Sequence, residues 1–183
     1  IIPIHPKAAE IEGIQAFPSF DAVSGIVDYA YVTVAADHVA PLIASAKGKL
    51  RFAQIISSGF GEINEGRERE ALLASAAREA SVRLLGPNCL GVYSPRGGIT
   101  FVGGSPRTRG HVGIVSQSGG LAVDLILRGK TRGLGFSGVT TIGNSADLGP
   151  ADLLDFHLQD DETRAIGFYL EDVKDGLRFF EMM

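Results

Sequence analysis

The sequence predicts an α/β protein made of two successive units, each with an open and mostly parallel sheet. Three observations lead there. The apolar segments are short, rich in β-branched and aromatic residues and nearly continuous, as strands covered on both faces must be. They alternate with longer segments in which small and apolar residues recur at helical spacing. The alternation is interrupted once, between residues 94 and 110, by a passage rich in Pro, Gly and Arg.

In the first unit the strand candidates are IIPI at the N-terminus, VDYAYVTVA (27–35), FAQIISS (52–58) and VRLLG (82–86). Between them, ADHVAPLIASAKG (36–48) and GREREALLASAAREA (66–80) read as helices. The second keeps leucine and alanine on one face and leaves Arg67, Glu68, Arg69, Glu70, Arg78 and Glu79 to water. This order implies parallel strands joined by right-handed crossovers. SPRGG and SPRTRG then flank ITFVGG, which suits a linker holding a short strand or hairpin. The rhythm resumes with HVGIVS, a helix over 119–130, LGFSGVTTIG (134–143), a helix from Pro150 to about Gln159, AIGFYLE (165–171) and a final helix from Asp172 or Val173. The expected division is 1–93, a linker over 94–110, and 111–183. IIPIHPK opens directly in an apolar strand and DGLRFFEMM stops within a helical pattern, so a longer parent chain is expected.

Composition narrows the function classes. Of 183 residues, 21% are charged and 45% hydrophobic, with a net charge of -4, which lacks the basic excess a nucleic-acid surface needs. No apolar run approaches the roughly 20 residues that cross a bilayer, so a membrane partner is not expected. The single cysteine, Cys89, leaves no disulfide framework and no cysteine cluster for a metal, and a reducing, cytoplasmic setting is the simple inference. His5, His38, His111 and His157 show no metal-binding spacing, and no Ser/His/Asp set can be assembled from them.

In open parallel sheets the ligand crevice lies beyond the carboxyl ends of the strands, so the segments after each strand matter most. In SQSGG (116–120), Gly119 and Gly120 let backbone amides approach an anion, Ser116 and Ser118 offer hydroxyls, and the next helix presents its positive end. A serine cap on a tight glycine turn accounts for the same residues. Neither GxxxxGK[ST] nor GxGxxG occurs. In GPNCLG (86–91), Pro87 fixes a turn, Asn88 can both donate and accept, and Cys89 stands where it could be a nucleophile, a neighbour to a ligand thiol or a small buried filler, the last two favoured because no adjacent histidine or second cysteine activates it. GFGE (59–62) can expose amides and put Glu62 at a crevice rim, although loop geometry alone explains it equally well; Lys7 can meet a phosphate; and NSAD (144–147) gives an amide and a carboxylate after another strand, with Ser145 or Asp147 serving equally as a local turn or cap. Glu171, directly after FYL, can orient a histidine or cap the helix that follows.

Taken together, GPNCLG, GIVSQSGG, LGFSGVTTIGNSADLGPADLLDF and YLEDVKDGLRFFE resemble the acyl-CoA synthetases that form a nucleoside diphosphate, a family that includes ADP-forming acetyl-CoA synthetase and the succinyl-CoA synthetase alpha subunit. IHPKAAEIEGIQAFPSFDAV and ISSGFGE are similar to further stretches of that family, so the likeness covers essentially the whole sequence. It implies a Rossmann-like CoA-binding domain, lacking its first strand and glycine-rich loop, followed by a flavodoxin-like ligase domain. By this resemblance Lys7, Ala35, Ala36, Ser58, Gly59, Phe60, Pro87, Asn88 and Cys89 line the CoA site, with Cys89 near the pantetheine thiol. Ser118, Gly119 and Gly120 match the helix start that receives phosphate, and Glu171 matches the glutamate that holds a phosphorylated histidine.

The implied reaction joins a small carboxylic acid to CoA with cleavage of a nucleoside triphosphate, through an acyl phosphate and a phosphohistidine. ATP or ADP and magnesium belong, by the same resemblance, to an ATP-grasp domain or subunit outside these residues, and oligomeric assembly is implied. The loop bearing the phosphorylated histidine is absent, and His5 stands where the family often has asparagine. A CoA-binding regulatory or scaffold protein that has lost turnover is the alternative.

Overall fold

The computed structural model describes residues 1–183. The chain opens with a minimal hairpin, β1 (Glu10–Ile11) and β2 (Ile14–Gln15), turned by Glu12 and Gly13, both with positive φ. IIPI does not extend as a strand. Ile4 makes one parallel bridge to Phe17, supported by His5 N–H to Phe17 O at 2.9 Å and Phe17 N–H to Pro3 O at 3.0 Å. Pro3 and Pro6 have no N–H to give, so no ladder can continue there.

The first sheet consists of β3 (Val27–Val32), β4 (Leu50–Ile55) and β5 (Arg83–Leu85), parallel and in that spatial order. Its crossovers are α1 (Ala36–Ser45) and α2 (Arg67–Ala80), so α1 stops three residues before the expected end. Val39, Ile43, Ala53, Ile55, Leu73 and Leu84 lose all exposure between these helices and the sheet. α2 carries Glu68 and Glu70 in its first turn and Arg78 in its last, the polarity its dipole favours.

The second sheet has the order β6 (Val92–Tyr93), β8 (Phe136–Thr141), β7 (Arg109–Ser116) and β9 (Ala165–Tyr169), parallel except for β6. Val92 and Tyr93 therefore pair with the second unit, ahead of the expected break after residue 93. The passage over 94–108 forms a single antiparallel bridge, Ser94 to Ile99, and lies against the second unit, with Val102 in that core and Tyr93 Oη donating to Pro106 O at 2.7 Å, while Arg109 and Gly110, the end of the expected linker, already belong to β7. α3 (Gly119–Thr131) and α4 (Pro150–Gln159) follow β7 and β8. α5 spans Gly176–Met182 and starts later than expected, because the Glu171 and Asp172 amides donate to the Gln117 side-chain oxygen and Lys174 reaches the Asn144 carbonyl, holding 171–174 out of the helix. A third cluster, Leu85 and Cys89 from the first unit with Val115 and Ile142 from the second, joins the two cores. No helix is long and apolar enough to cross a membrane.

His157 on α4 is buried where two sheet glycines make room: a Cβ on Gly113 would lie 2.6 Å from its Nδ1, and one on Gly138 3.9 Å from its Cε1. Burial pushes the imidazole below its ordinary pKa of 6.5, and the nearby Asp160 carboxylate offsets only part of this. Above that pH the ring is neutral in both folded and unfolded chains. Below it the unfolded chain takes up the proton first, so His157 costs stability from there down to its depressed folded pKa. Urea unfolding followed from about pH 7 to about pH 5.5 is expected to show a falling midpoint, with a shallower fall in His157→Gln. Gly113→Ala is expected to destabilise by about 1–3 kcal/mol, because the buried ring has to shift.

Candidate functional site

The loops after β4, β5, β7, β8 and β9 meet at the junction of the two sheets. The loop after β5, residues 86–91, lies at the centre. Gly86 has φ +101, and a Cβ there would come 2.7 Å from Ile55 O, so this position requires glycine. Asn88 N–H donates to Ser57 O at 3.0 Å and Cys89 N–H to Ile55 O at 3.3 Å, which clips the turn to the end of β4. The Leu90 carbonyl accepts from Gln54 Nε2 at 2.7 Å and from Tyr31 Oη at 3.2 Å. On the other side, Gly91 N–H donates to Thr141 Oγ1 at 2.7 Å. Gln54 is almost fully buried within an apolar strand and receives the Tyr29 hydroxyl, and its place inside FAQII was the only sign of this role in the sequence.

Cys89 is 2% exposed, and burial pushes its thiol up to about 12, with hydrogen bonding to Thr141 and Gly91 opposing. Its thiolate population at neutral pH is negligible, which suits a wall and not a nucleophile.

In the loop after β4, the Glu62 carboxylate turns back and accepts from the Gly59 and Phe60 amides, the latter at 3.1 and 3.2 Å. Burial pushes the Glu62 carboxyl upward, but hydrogen bonds from Asn144 and these amides overcome it and hold the group below its ordinary value. Arg69 donates to Gly59 O and to Asp37 Oδ1, the latter at 2.7 Å, fastening this loop to the start of α1. A Cβ on Gly59 would lie 3.6 Å from the Ala36 Cβ. Ala35, Ala36, Ser58 and Gly59 are thus brought together, and Ser58 is exposed. The Phe60 side chain is fully buried in the first core, leaving only its backbone for the loop. Lys7 lies on an exposed turn, where His5 Nδ1 accepts from the Lys7 and Ala8 amides at 3.2 and 2.9 Å. An asparagine oxygen could perform the same capping.

At SQSGG, Ser118 is the N-cap of α3 and its Oγ accepts from Leu121 N–H at 3.2 Å. The Gly119 and Gly120 amides begin the helix and have no intrahelical acceptor. A Cβ on Gly119 would lie 2.8 Å from Leu90 Cδ1, so the helix start rests directly on the loop that carries Cys89. Gly120 faces open space. Gln117 Oε1 accepts from the Glu171 amide and from Asp172 N–H at 2.9 Å, and this sets the exposed Glu171 beside the α3 start. Gln117 was not singled out in the sequence, since a glutamine in a polar turn gives no sign that it reaches residue 171.

The loop after β8 divides its polar residues. Asp147 is structural: it accepts Leu84 N–H at 2.7 Å and pairs with both Arg83 nitrogens that face it, Nε at 2.9 Å and Nη2 at 3.1 Å. Asn144 reaches across the junction to Glu62 and Glu70. His111 Nδ1 contacts Glu162 O at 2.8 Å at the far end of β7. No group of three or more His, Cys, Asp or Glu residues is placed to hold a metal ion.

Two open α/β units whose loops converge at their junction define a two-domain α/β protein with a candidate ligand site between the domains. Residues 1–95 match the CoA binding domain, and residues 109–183 match the succinyl-CoA ligase like flavodoxin domain. The alpha subunits of acetate–CoA ligase [ADP-forming] I and II from Pyrococcus furiosus are 38% and 32% identical over the whole of this chain, which spans 41% and 40% of their lengths. The structure of the dinucleotide forming acetyl-coenzyme A synthetase 1 of Ca. Korarchaeum cryptofilum, in complex with phosphate and ADP, superposes with a TM-score of 0.89 at 34% identity, covering 99% of this chain and 40% of that one. The chain belongs to the family of ADP-forming acyl-CoA synthetases and succinyl-CoA synthetase alpha subunits.

The burial of Cys89 yields a direct test. In the folded protein a thiol reagent such as DTNB at about pH 8 is expected to modify Cys89 far more slowly than a free thiol, with full reactivity returning in denaturant. Fast modification of the folded protein would contradict the closed geometry of this loop.

Proposed function

We propose that the chain is the CoA-binding and phosphoryl-handling part of an ADP-forming acid–CoA ligase. The observation that carries this reading is the contact between Leu90 and Gly119, which sets the CoA-side loop and the α3 start against each other. A thiol delivered along the first loop and a phosphoryl group held at the second would meet at that contact.

In this reading Ala35, Ala36, Ser58 and Gly59, the Phe60 backbone, and Pro87 and Asn88 shape the channel for CoA. Lys7 offers a cation to its phosphates, and Cys89 forms the wall beside the pantetheine thiol. The substrate is a small carboxylic acid. Its acyl phosphate is held with the phosphoryl oxygens toward the Ser118 hydroxyl and the Gly119 and Gly120 amides, donors fixed before reaction. The CoA sulfur attacks the acyl carbon, the carbon–oxygen bond to phosphate breaks, the thiol proton passes to the departing phosphate, and inorganic phosphate remains at the helix start. In the opposite direction the same seat supplies phosphate for acyl phosphate formation. Glu171 orients the histidine that carries the phosphoryl group to or from the nucleotide. That histidine, the nucleotide and its magnesium belong to an ATP-grasp partner module and to chain outside these residues. The helix terminus and the amides stabilise charge on the moving phosphoryl oxygens, which is most of what phosphoryl transfer requires of a protein.

Calorimetric titration of CoA and of desulfo-CoA into the full-length protein is expected to give saturable binding of both. No binding to soundly folded protein would sink the assignment. Gly120→Asp separates the two halves of the reading, because its side chain would enter open space and bring a negative charge to the phosphate seat. It is expected to leave CoA affinity unchanged and to lower the rate of protein phosphorylation by ATP at least ~100-fold. Unchanged phosphorylation would remove the phosphate seat from α3.

A further inference from the structure

Asn144 connects the second unit to the loop after β4, to α2 and to the loop after β5. Its Nδ2 donates to Glu62 Oε2 at 2.6 Å and to Glu70 Oε2 at 2.8 Å, using both of its hydrogens. Its backbone N–H donates to Pro87 O at 3.0 Å, and its carbonyl accepts from Lys174 Nζ at 2.9 Å. Lys174 also reaches Ser145 O at 3.1 Å and Glu70 Oε1 at 3.6 Å. The two carboxylates in turn hold three successive amides of the loop after β4: Glu62 takes Gly59 and Phe60, and Glu70 takes Gly61 at 2.9 Å. One residue of the second unit thus fixes, through Glu62 and Glu70, the loop containing Ser58 and Gly59. Through Pro87 it fixes the Cys89 turn, and through Lys174 the segment that begins at Glu171.

We infer that Asn144 is a positioning residue that locks the loops 58–62 and 86–89 to the loop carrying Glu171, so that CoA and the phosphoryl group are presented on one rigid frame. This rests on the function proposed above. Glu62 and Glu70 lie close enough to share a single amide nitrogen, and two carboxylates that close repel unless donors stand between them. Asn144 supplies two such donors and Lys174 the countercharge. An alanine would leave the carboxylates facing each other and release Glu62 from the amides it holds in place. Asn144→Asp would add a third carboxylate, with Lys174 the only cation in contact.

The test uses the full-length protein and two readouts, the Kd for CoA by calorimetry and the initial rate of protein phosphorylation by ATP. Arg83→Ala is the control, since it removes another contact between the units, to Asp147, without touching the loop after β4. Asn144→Ala is expected to raise the Kd about tenfold and slow phosphorylation about tenfold, the effect of losing hydrogen bonds to charged groups. Asn144→Asp is expected to be worse on both. Arg83→Ala is expected to lower the melting temperature while changing both readouts less than about twofold. If Asn144→Ala lowers the melting temperature alone, or if Arg83→Ala reproduces both defects, Asn144 merely joins the units and the inference falls. Should Asn144→Ala not fold, Asn144→Ser replaces it under the same criteria. Failure of the unmodified protein to bind CoA would overturn the underlying function, whereas normal binding with an unaffected Asn144 variant would overturn the positioning role alone.

Discussion

The arrangement depends on a strip of backbone hydrogen bonds between the two units. Leu148 N–H donates to Leu84 O at 3.1 Å, Ala146 N–H to Gly86 O at 2.9 Å, and Asn144 N–H to Pro87 O at 3.0 Å. Three donors of the loop after β8 thereby satisfy three carbonyls along β5 and its turn. The approach is so close that a Cβ at Gly143, which has φ +50, would lie 2.2 Å from Pro87 O. Glycine is the residue that fits there without displacing the backbone. Removing the strip would leave buried carbonyls without partners, which is more costly than losing the bonds themselves.

With that strip in place the rest of the site follows by contact. The Cys89 turn is pressed between the end of β4 and β8, and the cluster of Leu85, Cys89, Val115 and Ile142 fills the space beneath it. Leu90 is thereby presented to Gly119, and α3 begins against the first unit. Gln117 extends the chain of contacts to residues 171 and 172. Each loop supports the next by a hydrogen bond or a van der Waals contact, so the loops form one connected network although they come from two sheets.

Much of the fold was legible in the primary structure. The parallel strands β4, β5, β7, β8 and β9 and the helices α2, α3 and α4 announce themselves through continuous apolar runs and helical spacing, signals that come from local burial. The errors fell where burial was not the deciding term. IIPI has the composition of a strand but Pro3, with Pro6 just beyond it, prevents a ladder, and α5 starts late because side chains from elsewhere capture the amides before it. The candidate site was legible as a set of loops. SQSGG showed its cap and its glycines, while the reach of Asn144, Gln117 and Gln54 did not show, because a carboxamide looks alike in sequence whether it meets water or a buried partner.

By itself the sequence determined the α/β class, the succession of two sheet-based units and the family, because these depend on periodicity and on motifs that are read along the chain. Only the tertiary structure decided which loops touch. Whether Cys89 is open or closed, whether Asp147 binds a ligand or clamps Arg83, and whether Glu62 faces solvent or its own amides are all questions of distance across the junction. Residues 62 and 144 are 82 positions apart along the chain, and their hydrogen bond exists because the fold brings the loops after β4 and β8 together at the junction, which no local pattern encodes.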